Sequence, residues 1–184
     1  MIVASMLVSP MMGPILGFTF GTVVRDRDLF CGGLKAELVG VGLTLGVGVV
    51  LGFVLSPLCN FYDWPTNEML SRGQAVNLLV GLAFAIPSGA GVALSVTGGG
   101  GNSLVGVAIA ASLLPPVVNT GMCLAFCMVA RSYPGAHDPV EFARIAGISF
   151  VLFLLNVAVI YGVAIAVFFG KQVKKVRKQL SFYR

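Results

Sequence analysis

Charge is what this sequence has least of. Only 10% of its 184 residues are Asp, Glu, Lys or Arg, against about 25% in ordinary soluble domains. A soluble fold of this length would carry charged side chains on most of its helices, whereas five long stretches here carry almost none. The scarcity of charge excludes a soluble globular domain and predicts an all-α integral membrane protein.

Chemically reactive groups are also missing from the apolar stretches. The one histidine, His137, lies in a predicted loop, and the four cysteines lack the spacing of a metal site. A proton-coupled pump usually carries an ionisable relay inside the membrane, and an intramembrane hydrolase needs a nucleophile with a buried base or paired carboxylates. We therefore predict a protein that is not an enzyme and that holds no metal and no cofactor.

Long apolar runs are what the sequence has instead. A hydrocarbon core about 30 Å thick takes roughly 20 helical residues to cross. Five stretches are long enough, at residues 2–24, 36–58, 75–97, 103–130 and 145–169. The loops between them are short, so we predict one compact multi-pass bundle of five transmembrane helices over residues 1–170. A basic tail follows over residues 171–184.

Basic residues predict the orientation, because Lys and Arg near helix ends collect on the cytoplasmic side. If five helices span, nine of the twelve lie on the side of the C-terminus, and three, Arg72, Arg131 and Arg144, lie on the other. We therefore predict a cytoplasmic C-terminus. The net charge of +5 indicates contact with membrane lipids rather than with nucleic acid, since no basic face interleaved with aromatic residues is present. The tail either binds anionic lipid or only fixes the topology.

Proline stands where a membrane helix tolerates it least. It lacks a backbone N–H and costs roughly 3 kcal/mol inside a helix. Pro10 and Pro14 nevertheless interrupt the first stretch, Pro87 the third, and Pro115 and Pro116 the fourth. We predict that these prolines break their helices, although prolines that only kink a helix for packing are also common.

Two of the interrupted segments resemble each other. ASMLVSPMMGP, at residues 4–14, aligns with AASLLPPVVNTG, at residues 110–121. The first and fourth predicted helices should run antiparallel, since an odd number of crossings separates them. Interrupted helices of opposite direction are typical of inverted repeats with a binding site where the breaks meet. There, freed N–H and carbonyl groups would face a solute.

Short polar side chains beside the breaks are the candidate ligands for a small solute or ion. With one glycine, they are Ser9, Gly13, Ser88, Ser112, Asn119 and Thr120. Asn156 is the one strongly polar residue that we single out in the fifth stretch. Its amide must find a partner away from lipid, either in a neighbouring helix or in a ligand.

Glycines spaced four residues apart form ridges along two predicted helices. The first ridge has Gly13, Gly17 and Gly21, and the second helix has Gly42 with Gly46 and Gly48 with Gly52. Small residues let helices approach closely in lipid. The ridges indicate packing within the bundle, a sliding interface, or association with another copy or another membrane protein.

Four segments carry a resemblance to a known family: VASMLVSPMMGPILG (3–17), LLVGLAFAIPSGAGVAL (78–94), GVAIAASLLPPVVNTG (106–121) and LFLLNVAVI (152–160). In them the chain resembles the membrane proteins grouped as domain of unknown function 389, found in bacteria, archaea and some eukaryotes. The resemblance implies a six-helix fold of two three-helix repeats, an incomplete 3+3 arrangement here. The family's first helix would precede this chain, so the five predicted helices would be its second to sixth. The resemblance implies no substrate.

Two functions from different classes follow from these observations. The first is a membrane transporter or channel-like protein that binds a small solute or ion where the broken helices cross near the membrane midplane. The alternative is a non-transporting scaffold or partner subunit that associates through its glycine ridges. A homo-oligomer is compatible with both.

Overall fold

The computed structural model describes residues 12–56, 66–72, 74, 76–97, 103–132 and 139–170. In these ranges the regular structure is entirely helical, as the sequence predicts. The helices are α1 Met12–Val24, α2 Arg27–Leu55, α3 Asn67–Arg72, α4 Val76–Thr97, α5 Ser103–Ser132 and α6 Pro139–Gly170. The prediction of an all-α protein is therefore confirmed for the part of the chain that is described.

Three of the described helices are long and apolar enough to cross a membrane: α2, Ala111–Ala130 within α5, and α6. Shorter apolar stretches, Pro14–Val24 and Leu79–Leu94, lie in α1 and α4. The outer face of α2 is also apolar, with Leu38 and Leu43 each 64% exposed. A long helix with an exposed apolar face is suited to lipid rather than to water. The chain is a membrane-embedded protein, and the count of five spanning helices stays a prediction.

A tight turn ends α1. Arg25 adopts a left-handed conformation with φ 60°, which is unusual for a residue other than glycine. The backbone N–H of Asp26 donates to the carbonyl of Gly21 at 3.0 Å. A left-handed residue with this hydrogen bond is a standard way to close a helix C-terminus.

The same turn starts α2. Asp26 caps the helix, because its Oδ1 accepts hydrogen bonds from the N–H groups of Asp28 (3.0 Å) and Leu29 (3.3 Å). The sequence predicts a second helix over residues 36–58, and that start is wrong by nine residues. The cap determines where the helix begins, whereas the charge pattern reports only where the apolar stretch begins.

The described residues divide by their contacts into two compact units, each built from segments of several helices. The first unit contains α1, α2 up to Gly40, α4 from Ala83, α5 up to Ala111 and α6 from Val157. The second contains α2 from Val41, α3, α4 up to Leu82, α5 from Ser112 and α6 up to Asn156.

Aromatic rings and glycines hold the first unit together. The rings of Phe18 and Tyr161 stack at 5.1 Å between centroids, and the Tyr161 hydroxyl lies 3.0 Å from Thr22 Oγ1. A Cβ added to Gly21 would lie 2.6 Å from the Phe30 backbone nitrogen, and one added to Gly33 would lie 2.5 Å from that of Phe18. The α1 ridge thus packs against the backbone of α2 in this unit.

Glycines also bring α2 and α5 into backbone contact in the second unit. A Cβ added to Gly48 would lie 2.7 Å from the Val118 carbonyl oxygen, and one added to Gly121 would lie 2.5 Å from that of Leu45. Gly52 is equally close to α5. By contrast, neither Gly42 nor Gly46 has anything within 4 Å of an added Cβ among the described residues.

Three of the predicted helix breaks do not occur where the structure describes them. Helix α4 continues through Pro87, and α5 continues through Pro115 and Pro116. A proline removes one hydrogen bond from a membrane helix without ending it when neighbouring groups satisfy the freed carbonyl. These prolines are interior helix residues, and the prediction that they break their helices is wrong.

The structure describes only one of the two prolines at which a break is predicted in the first stretch. Pro14 is the third residue of α1, and a missing N–H is tolerated in the first turn of a helix. No break therefore occurs at Pro14 itself. Pro10 lies outside the described residues, so the break predicted there stays a prediction, as does the inverted repeat that depends on it.

Gly121→Ala should destabilise the protein, because the added methyl group would meet the backbone of α2. We expect the free energy of unfolding to fall by about 1–3 kcal/mol, the usual cost of overpacking. Gly46→Ala is the matched control, since it adds the same methyl group to open space and improves helix propensity. Denaturation of the detergent-solubilised variants, followed by circular dichroism, measures both. Equal losses in the two variants would contradict the close α2–α5 contact.

Candidate functional site

Serine and asparagine recur at the same spacing on two neighbouring helices. Ser112 and Asn119 lie seven residues apart on α5, and Ser149 and Asn156 lie seven apart on α6, so each pair occupies one helix face. The side-chain nitrogen of Asn119 donates to Ser149 Oγ at 2.9 Å. That of Asn156 donates to the Ser112 carbonyl at 2.8 Å. These four buried residues form a serine–asparagine row, in which the asparagine of each helix bonds the serine of the other.

The pairing fixes the direction of the two helices in the second unit. Asn119 meets Ser149 while Ser112, a residue nearer the start of α5, meets Asn156, a residue nearer the end of α6. The α5 and α6 segments therefore run antiparallel there. A shift of one residue in either helix would turn the row away from its partner, so the row also specifies the register.

Proline explains why Asn156 bonds a backbone atom. In an α-helix the Ser112 carbonyl would accept from the N–H of residue 116, and that residue is Pro116, which has none. The Asn156 amide supplies the missing donor from α6. Since a carbonyl only accepts hydrogen bonds, the amide nitrogen must be the atom that faces it.

The other polar groups of this face of α5 are also engaged. The Thr120 hydroxyl donates to the Pro116 carbonyl at 2.8 Å and contacts the Ala146 carbonyl of α6 at 3.3 Å. The Cys123 thiol contacts Asn119 Oδ1 at 3.9 Å. The carbonyl of Pro116 and the side chains of Asn119 and Thr120 thus have partners within the protein.

One atom of the row has none. Asn156 is only 1% exposed, and its Oδ1 is buried without a hydrogen-bond partner among the described residues. A Cβ added to Gly81 of α4 would lie 3.3 Å from this oxygen. A buried acceptor left unsatisfied costs about 1–3 kcal/mol. The groups that would satisfy it are a hydrogen-bond donor or a cation.

The remaining predicted ligands are not part of the serine–asparagine row where the structure describes them. Ser88 belongs to the first unit, and its buried hydroxyl donates to the Phe84 carbonyl of its own helix at 2.8 Å. Gly13 is a residue of α1, and Ser9 lies outside the described residues. The structure therefore brings together Ser112, Asn119, Thr120 and Asn156.

Two buried polar residues were missed by the sequence interpretation. Ser149 completes the row, and its seven-residue spacing from Asn156, which repeats that of Ser112 and Asn119, is the signal that identifies it. Glu37 is the eleventh residue of α2 and only 5% exposed. The predicted second helix starts at residue 36, which would put Glu37 in its first turn, and the capping residue Asp26 is the signal that moves this start upstream.

Metal chemistry gains no support from the described part of the chain. No three His, Cys, Asp or Glu side chains come together there as metal ligands. The serine–asparagine row consists of neutral hydroxyl, amide and carbonyl groups. Such groups bind polar solutes by hydrogen bonds and alkali cations through oxygen atoms.

Comparison with known proteins places the chain in a family. The family described as a domain of unknown function, DUF389, matches residues 6–167. The chain belongs to this family. No curated protein and no solved structure matches it. The DUF389 match contains the whole serine–asparagine row, so the row lies in the region that defines this protein as a family member.

In this DUF389 protein, removal of the Asn156 amide should remove the donor that the Ser112 carbonyl receives from α6. We expect Asn156→Ala to lower the free energy of unfolding by about 1–3 kcal/mol. The loss should be smaller in the Pro116→Ala background, because the restored N–H can donate to the same carbonyl. A double-mutant cycle of denaturation measurements gives this coupling.

Asn119→Ala is the control for that cycle, since Asn119 bonds the Ser149 hydroxyl rather than a carbonyl freed by proline. Its cost should be the same with Pro116 and with Pro116→Ala. If both asparagines show the same lack of coupling to position 116, the explanation for the Ser112–Asn156 bond is wrong.

Proposed function

We propose that this DUF389 protein is a transporter or channel-like protein, rather than an enzyme, that moves a small polar solute or ion across the membrane. The observation that carries the proposal is Asn156 Oδ1, which is buried without a partner among the described residues, while the nitrogen of the same amide donates to the Ser112 carbonyl. Polar side chains inside membrane helices are costly and are retained mainly for helix association or function.

The Asn156 amide supports a mechanism of exchange. Its nitrogen donates a hydrogen bond to the Ser112 carbonyl, while its oxygen accepts none from the described residues. A solute with a hydrogen-bond donor, or a cation, would bind the oxygen. If the Asn156 amide rotated and released the Ser112 carbonyl, the same ligand could also bind that carbonyl oxygen. Because Pro115 and Pro116 remove two hydrogen bonds from α5, this part of the helix can change conformation at low cost.

The proposed topology follows from the sequence. We propose a multi-pass protein with a cytoplasmic C-terminus, on the strength of nine basic residues on that side against three on the other. The inverted repeat relating residues 4–14 to residues 110–121 is part of the proposal and rests on their sequence similarity.

Flux through reconstituted protein tests the proposal. The purified chain is placed in liposomes, and uptake of labelled Na⁺, K⁺, glycine and urea is compared with that of protein-free liposomes. We expect at least one probe to enter faster with the wild-type protein, and Asn156→Leu to abolish that flux because it removes the acceptor oxygen.

Tyr161→Phe is the matched control, because it also removes a half-buried hydrogen bond, the one to Thr22, and Tyr161 belongs to the first unit whereas the serine–asparagine row belongs to the second. It should leave the flux intact. No flux of any probe through folded wild-type protein would contradict the proposal, and so would an undiminished flux in Asn156→Leu.

A scaffold or partner subunit is the second candidate, and one observation favours it. Gly42 and Gly46 have open space beside them and lie on the exposed apolar face of α2. Two small residues four apart allow close approach of a second helix in lipid. Gly48 and Gly52 already pack within the protein, so only the first pair is available for association.

This second candidate predicts self-association through α2. Energy transfer between labelled chains in lipid vesicles should decrease strongly when Gly42→Leu and Gly46→Leu are combined. Gly147→Leu is the control, since Gly147 on α6 also has nothing within 4 Å of an added Cβ. Absence of transfer between wild-type chains, or equal loss in the control, would contradict the scaffold function.

A further inference from the structure

Glu37 is a buried acid that the row of neutral groups does not use. We propose that its carboxyl group is a reversible proton-binding site, and, resting on the transport function proposed above, that H⁺ is the coupling ion. In this step a carboxylate oxygen takes up one proton to give a neutral carboxyl group and releases it again. The sequence alone does not indicate an ionisable group inside the membrane, because the predicted second helix starts at residue 36 and Glu37 would lie in its first turn.

The carboxyl group of Glu37 is buried in apolar surroundings. Glu37 is 5% exposed, and both of its carboxylate oxygens are buried without a hydrogen-bond partner among the described residues. An ionised carboxylate with neither water nor a partner is strongly disfavoured in apolar surroundings. Uptake of a proton removes that charge without requiring a coordinating shell, whereas a metal cation would need several further oxygen ligands.

Among the described residues, the surroundings of Glu37 supply no counter-charge. Helix α1 packs against α2 where Gly33 approaches Pro14 and Gly17, and Gly33 lies one helical turn before Glu37 on α2. No residue of α1 is ionisable. The first unit's segments of α4, α5 and α6 contribute one ionisable group to the described residues, Tyr161.

The other ionisable groups that the structure describes in the first unit are exposed, apart from that of Tyr161. In the described residues they are Arg25, Asp26, Arg27, Asp28, Cys31 and Lys35. Tyr161 is half-buried and its hydroxyl lies 3.0 Å from Thr22 Oγ1. Lys35 precedes Glu37 by two residues, so it points to a different side of the helix. It nevertheless places an exposed, charged side chain within one turn of the buried carboxyl group.

Infrared spectroscopy of the full chain in nanodiscs tests the site directly. We expect the wild-type protein to show the carbonyl band of a protonated carboxyl group at a pH where exposed carboxyl groups have ionised. The band should disappear reversibly as the pH is raised, and Glu37→Gln should lack it throughout. Glu141→Gln, which removes an exposed glutamate of α6, should retain it.

Glu37→Asp keeps the carboxyl group and should change the frequency of the band, which assigns it even if Glu37→Gln folds poorly. The titration is repeated with choline chloride, NaCl and KCl. A wild-type spectrum with no such band, or a band that no pH removes, would overturn the proposal. Loss of the band on addition of Na⁺ or K⁺ at constant pH would also overturn it, because a metal cation would then be the ligand.

The titration is independent of transport. If the infrared band titrates but no probe crosses the membrane, the proton-binding site is supported and the transport function is contradicted. If the flux depends on Asn156 but the spectrum lacks the band, the transport function is supported and the proton-binding site is contradicted.

Discussion

Ser112 has a backbone carbonyl that its own helix cannot satisfy, because the residue four positions later is Pro116. In water this would matter little, since a solvent molecule would donate. Inside a membrane each buried polar backbone group must find its partner within the protein. The Asn156 amide is that partner, and this bond ties α6 to α5 at the point where α5 lacks hydrogen bonds of its own. The reciprocal bond from Asn119 to Ser149 makes the attachment two-sided.

Close packing of the helices within each unit depends on glycine, which lets two backbones come into contact. Gly48 and Gly121 place the backbones of α2 and α5 in contact, and Gly81 leaves room for the Asn156 amide beside α4. Helices in lipid gain little from hydrophobic burial against each other, so close contact and interhelical hydrogen bonds hold them together. Three buried acceptor atoms remain unsatisfied among the described residues, Asn156 Oδ1 and both carboxylate oxygens of Glu37. Packing alone does not explain their cost, and both proposals begin from them.

Hydropathy in the sequence predicts most of the fold, because apolar length is a strong signal. The ends of the helices near residues 24, 97 and 130 agree with it. Local chemistry accounts for the errors. The capping carboxylate of Asp26 starts α2 upstream of the apolar stretch. In α5, which stays helical through its prolines, the amide of Asn156 donates to the carbonyl that Pro116 cannot serve. Four of the seven predicted ligands come together. The seven-residue spacing in α6 points to Ser149 and the cap Asp26 places Glu37 inside a helix, but the bonds of the first and the burial of the second depend on contacts between helices, which no single stretch of sequence contains.

The bond between Asn156 and the Ser112 carbonyl is the central claim, and solid-state NMR in lipid bilayers measures it most directly. With ¹⁵N in the Asn156 side chain and ¹³C at the Ser112 carbonyl, the dipolar coupling reports the distance between the two atoms. A strong coupling, as expected for a hydrogen bond of 2.8 Å from nitrogen to oxygen, would agree with the account. No measurable coupling in the folded protein would mean that the amide lies elsewhere, and the arrangement of α5 and α6 described above would be wrong.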